Sequence, residues 1–164
     1  PGFPRPVPLF RYESPVDRVI QALKYGHQLP LAAWLGAQLG ERLVAGDFDL
    51  VVPLPLHPAR LRARGFNQSL EIARPLGRAL GIPVAPDGLI RTRATPPQAE
   101  LPLKERARNV RGAFEYRGEL AGQRVLLVDD VMTTGASLHE AARILARHGA
   151  GPITVAVAAR ALRR

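Results

Sequence analysis

The run RVLLVDD, residues 124–130, constrains the fold more than any other stretch of this chain. Four consecutive apolar residues, Val125 to Val128, form a segment of strand length that reads as a buried strand. ITVAVAAR (153–160) reads the same way, and DLVVPLP (49–55) is a shorter apolar run ended by prolines. Amphipathic stretches lie between them. From about Ala136 the spacing puts Leu138, Ala141, Ala142 and Leu145 on one helical face. Asn67 can cap another helix that carries Leu70, Ala73, Leu76 and Leu80 inward and ends at Gly81, with Pro75 inside it. GLIRTR (88–93) and GAFEY (112–116) read as strands flanking a long polar loop over 94–110. Strands alternating with helices predict an α/β fold with a largely parallel central sheet flanked by helices.

The first third reads as helical. Ser14, Pro15 and Asp17 form an N-terminal signature, Val16, Ile20 and Leu23 line one face, and Gly26 stops the helix. A second helix follows Pro30, with Leu31, Trp34, Leu35 and Leu39 expected on its buried side.

Length and composition fit one domain spanning residues 1–164. A hydrophobic content of 46% excludes a disordered chain, and the lack of cysteine excludes disulfides and thiolate metal sites. No apolar run approaches the roughly 18 residues of a membrane span, so no membrane insertion and a cytoplasmic location are expected. The formal net charge of +9 comes almost wholly from arginine, since Lys24 and Lys104 are the only lysines. Such a chain suits polyanions, and phosphorylated small molecules qualify as well as DNA does.

Two adjacent aspartates, Asp129 and Asp130, close the most apolar run, and Thr133, Thr134, Gly135, Ala136 and Ser137 follow. A lone aspartate pair is usually a capped, solvated turn. This pair stands at the carboxyl end of a strand in a parallel sheet, where ligands bind. The small residues enter a helix whose unpaired N–H groups and dipole favour an anion, and Gly135 lets a phosphate approach the backbone. The aspartates can accept hydrogen bonds from vicinal sugar hydroxyls or hold Mg²⁺ through water. A phosphate cradle beside two acceptors describes a ribose 5-phosphate.

VLLVDDVMTTGAS (125–137) resembles the phosphoribosyl-pyrophosphate (PRPP) signature of type I phosphoribosyltransferases. With YESPVDRVIQALKYG (12–26), VPLPLHPARLRARGFNQ (52–68) and RTRATPPQAELPLKERARNVRGAF (91–114), nearly the whole chain is similar to the ComF competence-protein family. The resemblance implies a type I phosphoribosyltransferase-like fold with an N-terminal helical hood, here residues 1–48, on an α/β core over 49–164. It implies PRPP as substrate, Mg²⁺ as cofactor and a role in DNA uptake. Val131, Met132, Thr133, Thr134, Gly135, Ala136 and Ser137 would bind the substrate, and Asp129 and Asp130 would act in catalysis and hold Mg²⁺ through water. The basic loop HPARLRARGF would be the pyrophosphate loop, with Arg60, Arg62, Arg64, Gly65, Asn67 and Gln68. Residues 94–110 would be a mobile flap, with Gln98, Lys104, Arg106, Asn109 and Arg111 as contacts, Lys104 and Arg106 being catalytic. Lys24 could reach the pyrophosphate or simply face the end of its own helix, and His57 is expected to be structural.

Two functions follow. One is Mg²⁺-dependent transfer of phosphoribosyl from PRPP to an acceptor for which no general base is evident. The other is a non-catalytic PRPP sensor that binds single-stranded DNA, although aromatics at 5% are few for base stacking. Neither the acceptor nor the oligomeric state follows from the sequence.

Overall fold

The structure, a computed structural model, describes residues 6–25, 29–94 and 101–161. Its centre is a four-stranded sheet in the order β1 (Pro6–Arg11), β6 (Ile153–Arg160), β5 (Val125–Met132), β2 (Leu50–Pro53). All three pairings are parallel, as the alternation of strands and helices predicts. Val125, Leu126, Leu127 and Val128 are fully buried, because a parallel strand between two neighbours is covered on both faces. Leu127, Val155 and Val157 look toward helix α6 (Ala136–Arg147) and a small sheet in which β3 (Leu89–Arg91) pairs antiparallel with β4 (Phe114–Tyr116). Leu126, Val128 and Ala156 look the other way, toward α1 (Val16–Tyr25), α2 (Leu29–Glu41) and α4 (Gln68–Leu80).

The N-terminal region carries more than helices. β1 is an edge strand, and Pro6 and Pro8 suit an edge because a proline nitrogen has no hydrogen to donate to a ladder. Leu9, Ile20, Leu35 and Leu39 share one core with Val51, Ile72 and Leu126, so residues on both sides of position 48 pack together. Trp34 departs from expectation. It is 48% exposed and stacks on Phe10 with ring centres 5.9 Å apart. The buried stripe of α2 is instead Ala32, Leu35, Gly36 and Leu39. Gly36 decides this rotation: a Cβ there would stand 2.5 Å from the Ile72 carbonyl oxygen and 2.6 Å from Pro75 Cγ. The helices meet nearly backbone to backbone, on a face where an indole does not fit.

Two segments expected as loops are helical. Residues 58–64 form α3 (Pro58–Arg64), with Pro58 in the first turn and the His57 ring Nδ1 accepting from the Ala59 N–H at 3.1 Å. Gly65 ends it in the left-handed region at φ 87°, its N–H donating to the Leu61 carbonyl at 2.7 Å. Within the expected flap, Leu103 to Val110 form α5. α3 buries no residue, and α5 carries Leu103, Ala107 and Val110 at helical spacing but among residues so polar that the sequence reads as loop there.

Helix propensity alone favours Gly36→Ala by about 1 kcal/mol. Close backbone packing opposes it, and overpacking of this kind costs about 1–3 kcal/mol. The contact with Ile72 backbone is too short for a small shift to relieve, so Gly36→Ala should lower stability, as urea denaturation would show. A gain in stability would mean that α2 and α4 are not in this contact.

Candidate functional site

Asp129 and Asp130 lie in the second half of β5, which continues through Val131 and Met132. Each turns a carboxylate oxygen back onto the strand: the Asp130 N–H donates to Asp129 Oδ1 at 2.8 Å and the Val131 N–H to Asp130 Oδ1 at 2.7 Å. The first turn of α4 supplies the other partners. Ser69 Oγ donates to Asp129 Oδ1 at 2.9 Å, and Gln68 Nε2 donates to Asp130 Oδ2 at 3.1 Å. Gln68 and Ser69 are both buried. Their placement follows from Asn67, which caps α4 by accepting from the Ser69 N–H at 3.0 Å while its Nδ2 donates to the Leu54 carbonyl at 3.1 Å. Gln68 also accepts from Arg64 Nη1 at 2.7 Å, so a chain of hydrogen bonds runs from α3 through α4 to the carboxylates.

These groups line one cavity of about 320 Å³. Arg60, Arg64, Gln68, Asp129 and Asp130 border it, together with the whole segment Val131, Met132, Thr133, Thr134, Gly135, Ala136 and Ser137. Gly135 adopts the left-handed conformation (φ 82°) and starts α6, which has no side-chain cap. That sets it apart from α3 and α4, whose first turns are satisfied by His57 and Asn67. The Ala136 N–H meets Thr134 Oγ1 at a long 3.3 Å. The amino end of a twelve-residue helix thus opens toward the cavity, an arrangement that favours an anion.

The other expected residues are placed differently. Gly65 and Asn67 stand beside the cavity as the end of α3 and the cap of α4, and neither lines it; nor does Arg62. Lys104 and Arg106 lie on α5 outside the lining, where Arg106 Nε donates to the Leu101 carbonyl at 3.1 Å. Asn109 and Arg111 also lie outside it, and their carbonyls accept from Arg93 Nη2 at 2.8 and 2.6 Å. Lys24 falls in the last turn of α1, and Gln98 lies outside the described residues. None of the described residues 6–48 lines the cavity. Sequence reasoning missed Ser69 and Arg91, both of which do. Ser69 is legible in retrospect as the second residue after a helix cap, whereas Arg91 sits in a strand with no local signal.

The carboxylate pair is electrostatically tense. Burial and the adjacent Asp130 push the Asp129 carboxyl well above the usual carboxylate range, outweighing the Ser69 hydrogen bond. Two oxygen-only side chains beside a cavity fit a hard divalent cation that keeps most of its water, such as Mg²⁺. Among the described residues no cluster of three or more His, Asp or Glu forms an all-protein metal cage.

Comparison with known proteins agrees with this geometry. The phosphoribosyl transferase domain family matches residues 67–164, which include α4, the carboxylates and the loop into α6. The chain is 33% identical to the DNA utilization protein YhgH of Escherichia coli K12, over 94% of this chain and 71% of that protein. It is 31% identical to competence protein F of Haemophilus influenzae, over 98% and 75% of the two chains. The chain belongs to the ComF family of the phosphoribosyltransferase superfamily. Competence protein ComFC of Bacillus subtilis is 37% identical over 61% of this chain and 39% of its own length. Two solved structures share the fold. Adenine phosphoribosyltransferase from Thermoanaerobacter pseudethanolicus superposes with a TM-score of 0.50 over 83% of each chain, at 15% identity. Glutamine PRPP amidotransferase from B. subtilis superposes with a TM-score of 0.54 over 77% of this chain and 25% of its own, at 25% identity. The expected type I phosphoribosyltransferase-like architecture is therefore the observed one. Among the described residues no helix is long and apolar enough to cross a membrane.

The raised Asp129 carboxyl has a definite sign for stability. A carboxyl whose folded-state pKa exceeds its unfolded value makes the protein less stable as pH rises from the ordinary 3.8 through the folded value, and the penalty is complete above it. Asp129→Asn keeps an acceptor at Oδ1 and removes the charge. The ligand-free variant should therefore melt at or above the wild-type temperature at neutral pH, with the gain shrinking toward pH 4. A lower melting temperature at neutral pH would show that the charge is structural.

Proposed function

We propose that this protein binds PRPP together with Mg²⁺ and transfers the phosphoribosyl group to an acceptor with release of pyrophosphate, in the service of DNA uptake and use. The observation that carries the reading is the uncapped amino end of α6, which enters the same cavity as the two carboxylates and the α3 arginines. The α6 end and the Thr134 and Ser137 hydroxyls would take the 5-phosphate. Asp129 and Asp130 would accept from the ribose hydroxyls and hold Mg²⁺ through water. Bound Mg²⁺ would neutralise charge on the pyrophosphate. Arg60 and Arg64 would bind that group as it departs with the electron pair of the broken C1–O bond, while the acceptor's lone pair forms the new bond to C1. The cellular process comes from the relatives, named for DNA utilization and competence. A cytoplasmic location belongs to the same reading.

One observation favours the second reading, a PRPP sensor that binds single-stranded DNA without turnover. The described residues of the expected acceptor hood do not line the cavity, and neither do Lys104 and Arg106 of α5. Pyrophosphate release measured against a panel of bases, with and without single-stranded DNA, separates the two. Turnover with any acceptor supports the enzyme. PRPP binding without turnover, together with salt-sensitive DNA binding, supports the sensor.

PRPP with Mg²⁺ should raise the melting temperature, since a ligand at 100 times its Kd adds about 2.7 kcal/mol to a folded state that alone binds it. Ribose 5-phosphate should act more weakly because it leaves the arginines unengaged, and no shift with millimolar PRPP would overturn the reading. Gly135→Val forces a β-branched residue to φ 82° at a cost of about 1–3 kcal/mol. It should also abolish ribose 5-phosphate binding by calorimetry in protein that is still folded by circular dichroism. Undiminished affinity would place the phosphate elsewhere.

A further inference from the structure

The carboxylate oxygens of Asp129 and Asp130 are not equivalent. Asp130 Oδ1 accepts from the Val131 N–H, and Asp130 Oδ2 accepts from Gln68 Nε2. Both donors to Asp129 converge instead on one oxygen. The Asp130 N–H reaches Asp129 Oδ1 at 2.8 Å and Ser69 Oγ reaches it at 2.9 Å. Among the described residues no N–H or O–H donates to Asp129 Oδ2. Asp129 is also the more exposed of the two, since Asp130 is buried at 5% exposure.

Ser69 is held at both ends. Its backbone N–H donates to Asn67 Oδ1 at 3.0 Å, and its hydroxyl donates to Asp129. At 2% exposure that hydroxyl has little water to turn to. A serine in the first turn of a helix readily bonds to its own neighbouring backbone. Ser69 reaches instead to a residue 60 positions along the chain. The effect falls on the Asp129 side-chain torsion, which is broad and roughly two-fold when nothing restrains it. The like charge of Asp130 repels Asp129 without specifying which of its oxygens turns where. One donor from the strand backbone and one from α4, both on Oδ1, do specify it, because rotation would break both bonds.

We propose that Ser69 is a positioning residue, which locks Asp129 Oδ1 to α4 and leaves Oδ2 as a fixed acceptor for a ribose hydroxyl. This rests on the assignment of the cavity to PRPP and names the oxygen that meets the sugar. An acceptor already oriented loses little further freedom when the ligand arrives.

Calorimetric titration of ribose 5-phosphate, and separately of inorganic phosphate, tests this in magnesium-free buffer. The proteins are wild type, Ser69→Ala, Asp129→Ala and the double variant. Phosphate reads the α6 end alone, so the ratio of the two affinities reads the sugar. Ser69→Ala should weaken ribose 5-phosphate about fivefold or more, as loss of a hydrogen bond to a charged group would. Phosphate should stay within about twofold of wild type, since it sits at α6. In the Asp129→Ala background, removing the Ser69 hydroxyl should change ribose 5-phosphate affinity less than about twofold, because the carboxylate it acts through is gone. If wild type binds neither probe, or binds ribose 5-phosphate no better than phosphate, the PRPP assignment fails and this inference with it. If wild type favours ribose 5-phosphate and Ser69→Ala binds it equally well, this inference alone is overturned. Equal loss of both probes in Ser69→Ala also overturns it, making Ser69 a support of cavity shape. So does an undiminished Ser69→Ala loss in the Asp129→Ala background, which would make the effect independent of that carboxylate.

Discussion

Two adjacent carboxylates at the end of a strand that is dry on both faces would be untenable without partners, and the first turn of α4 provides them. The Ser69 and Gln68 hydrogen bonds to Asp129 and Asp130 set the terms for the surrounding structure. To deliver them, α4 must begin at Asn67, and Asn67 must be tied to the Leu54 carbonyl beyond β2. To lie there, α4 must seat its far side on α2, which the missing side chain of Gly36 allows. Packing on one face of the sheet is thus coupled to charge placement at its carboxyl edge.

The cavity gathers both signs of charge. Arg60, Arg64 and Arg91, the two aspartates and the amino end of α6 all line it. Gln68 joins Arg64 to Asp130, an amide that accepts from one and donates to the other. The result is a site that is less than optimal for stability in the free protein, as the raised Asp129 carboxyl records. Such local tension is common where a ligand is to supply the missing charge.

Much of the architecture is legible in the sequence because it depends on local rules. Continuous apolar runs at 125–128 and 155–159 mark strands covered on both faces, and Asn67 and Gly81 mark the ends of α4 by their own backbone chemistry. The geometry of the loop at residues 133–137 is equally local, since a glycine at a strand-to-helix junction announces its conformation wherever it occurs. The helices α3 and α5 were not legible, α3 because it buries no residue and α5 because its few apolar positions are outweighed by charged neighbours. Nor was β1, whose prolines make sense only once it is known to be an edge.

The sequence by itself determined the strand-and-helix alternation, the position of the carboxylate pair and the loop that follows it, because each rests on contacts between neighbours in the chain. Tertiary structure alone decided which distant residues face that pair. Ser69 and Gln68 arrive from about sixty positions away, and Arg91 from a separate sheet that packs on α6 and is tied to it where the Gly112 N–H donates to Glu140. It also turned Trp34 outward, because the close approach of α2 to α4 left no room for an indole. These outcomes depend on how whole elements fill space against one another, and no window of neighbouring residues carries that information.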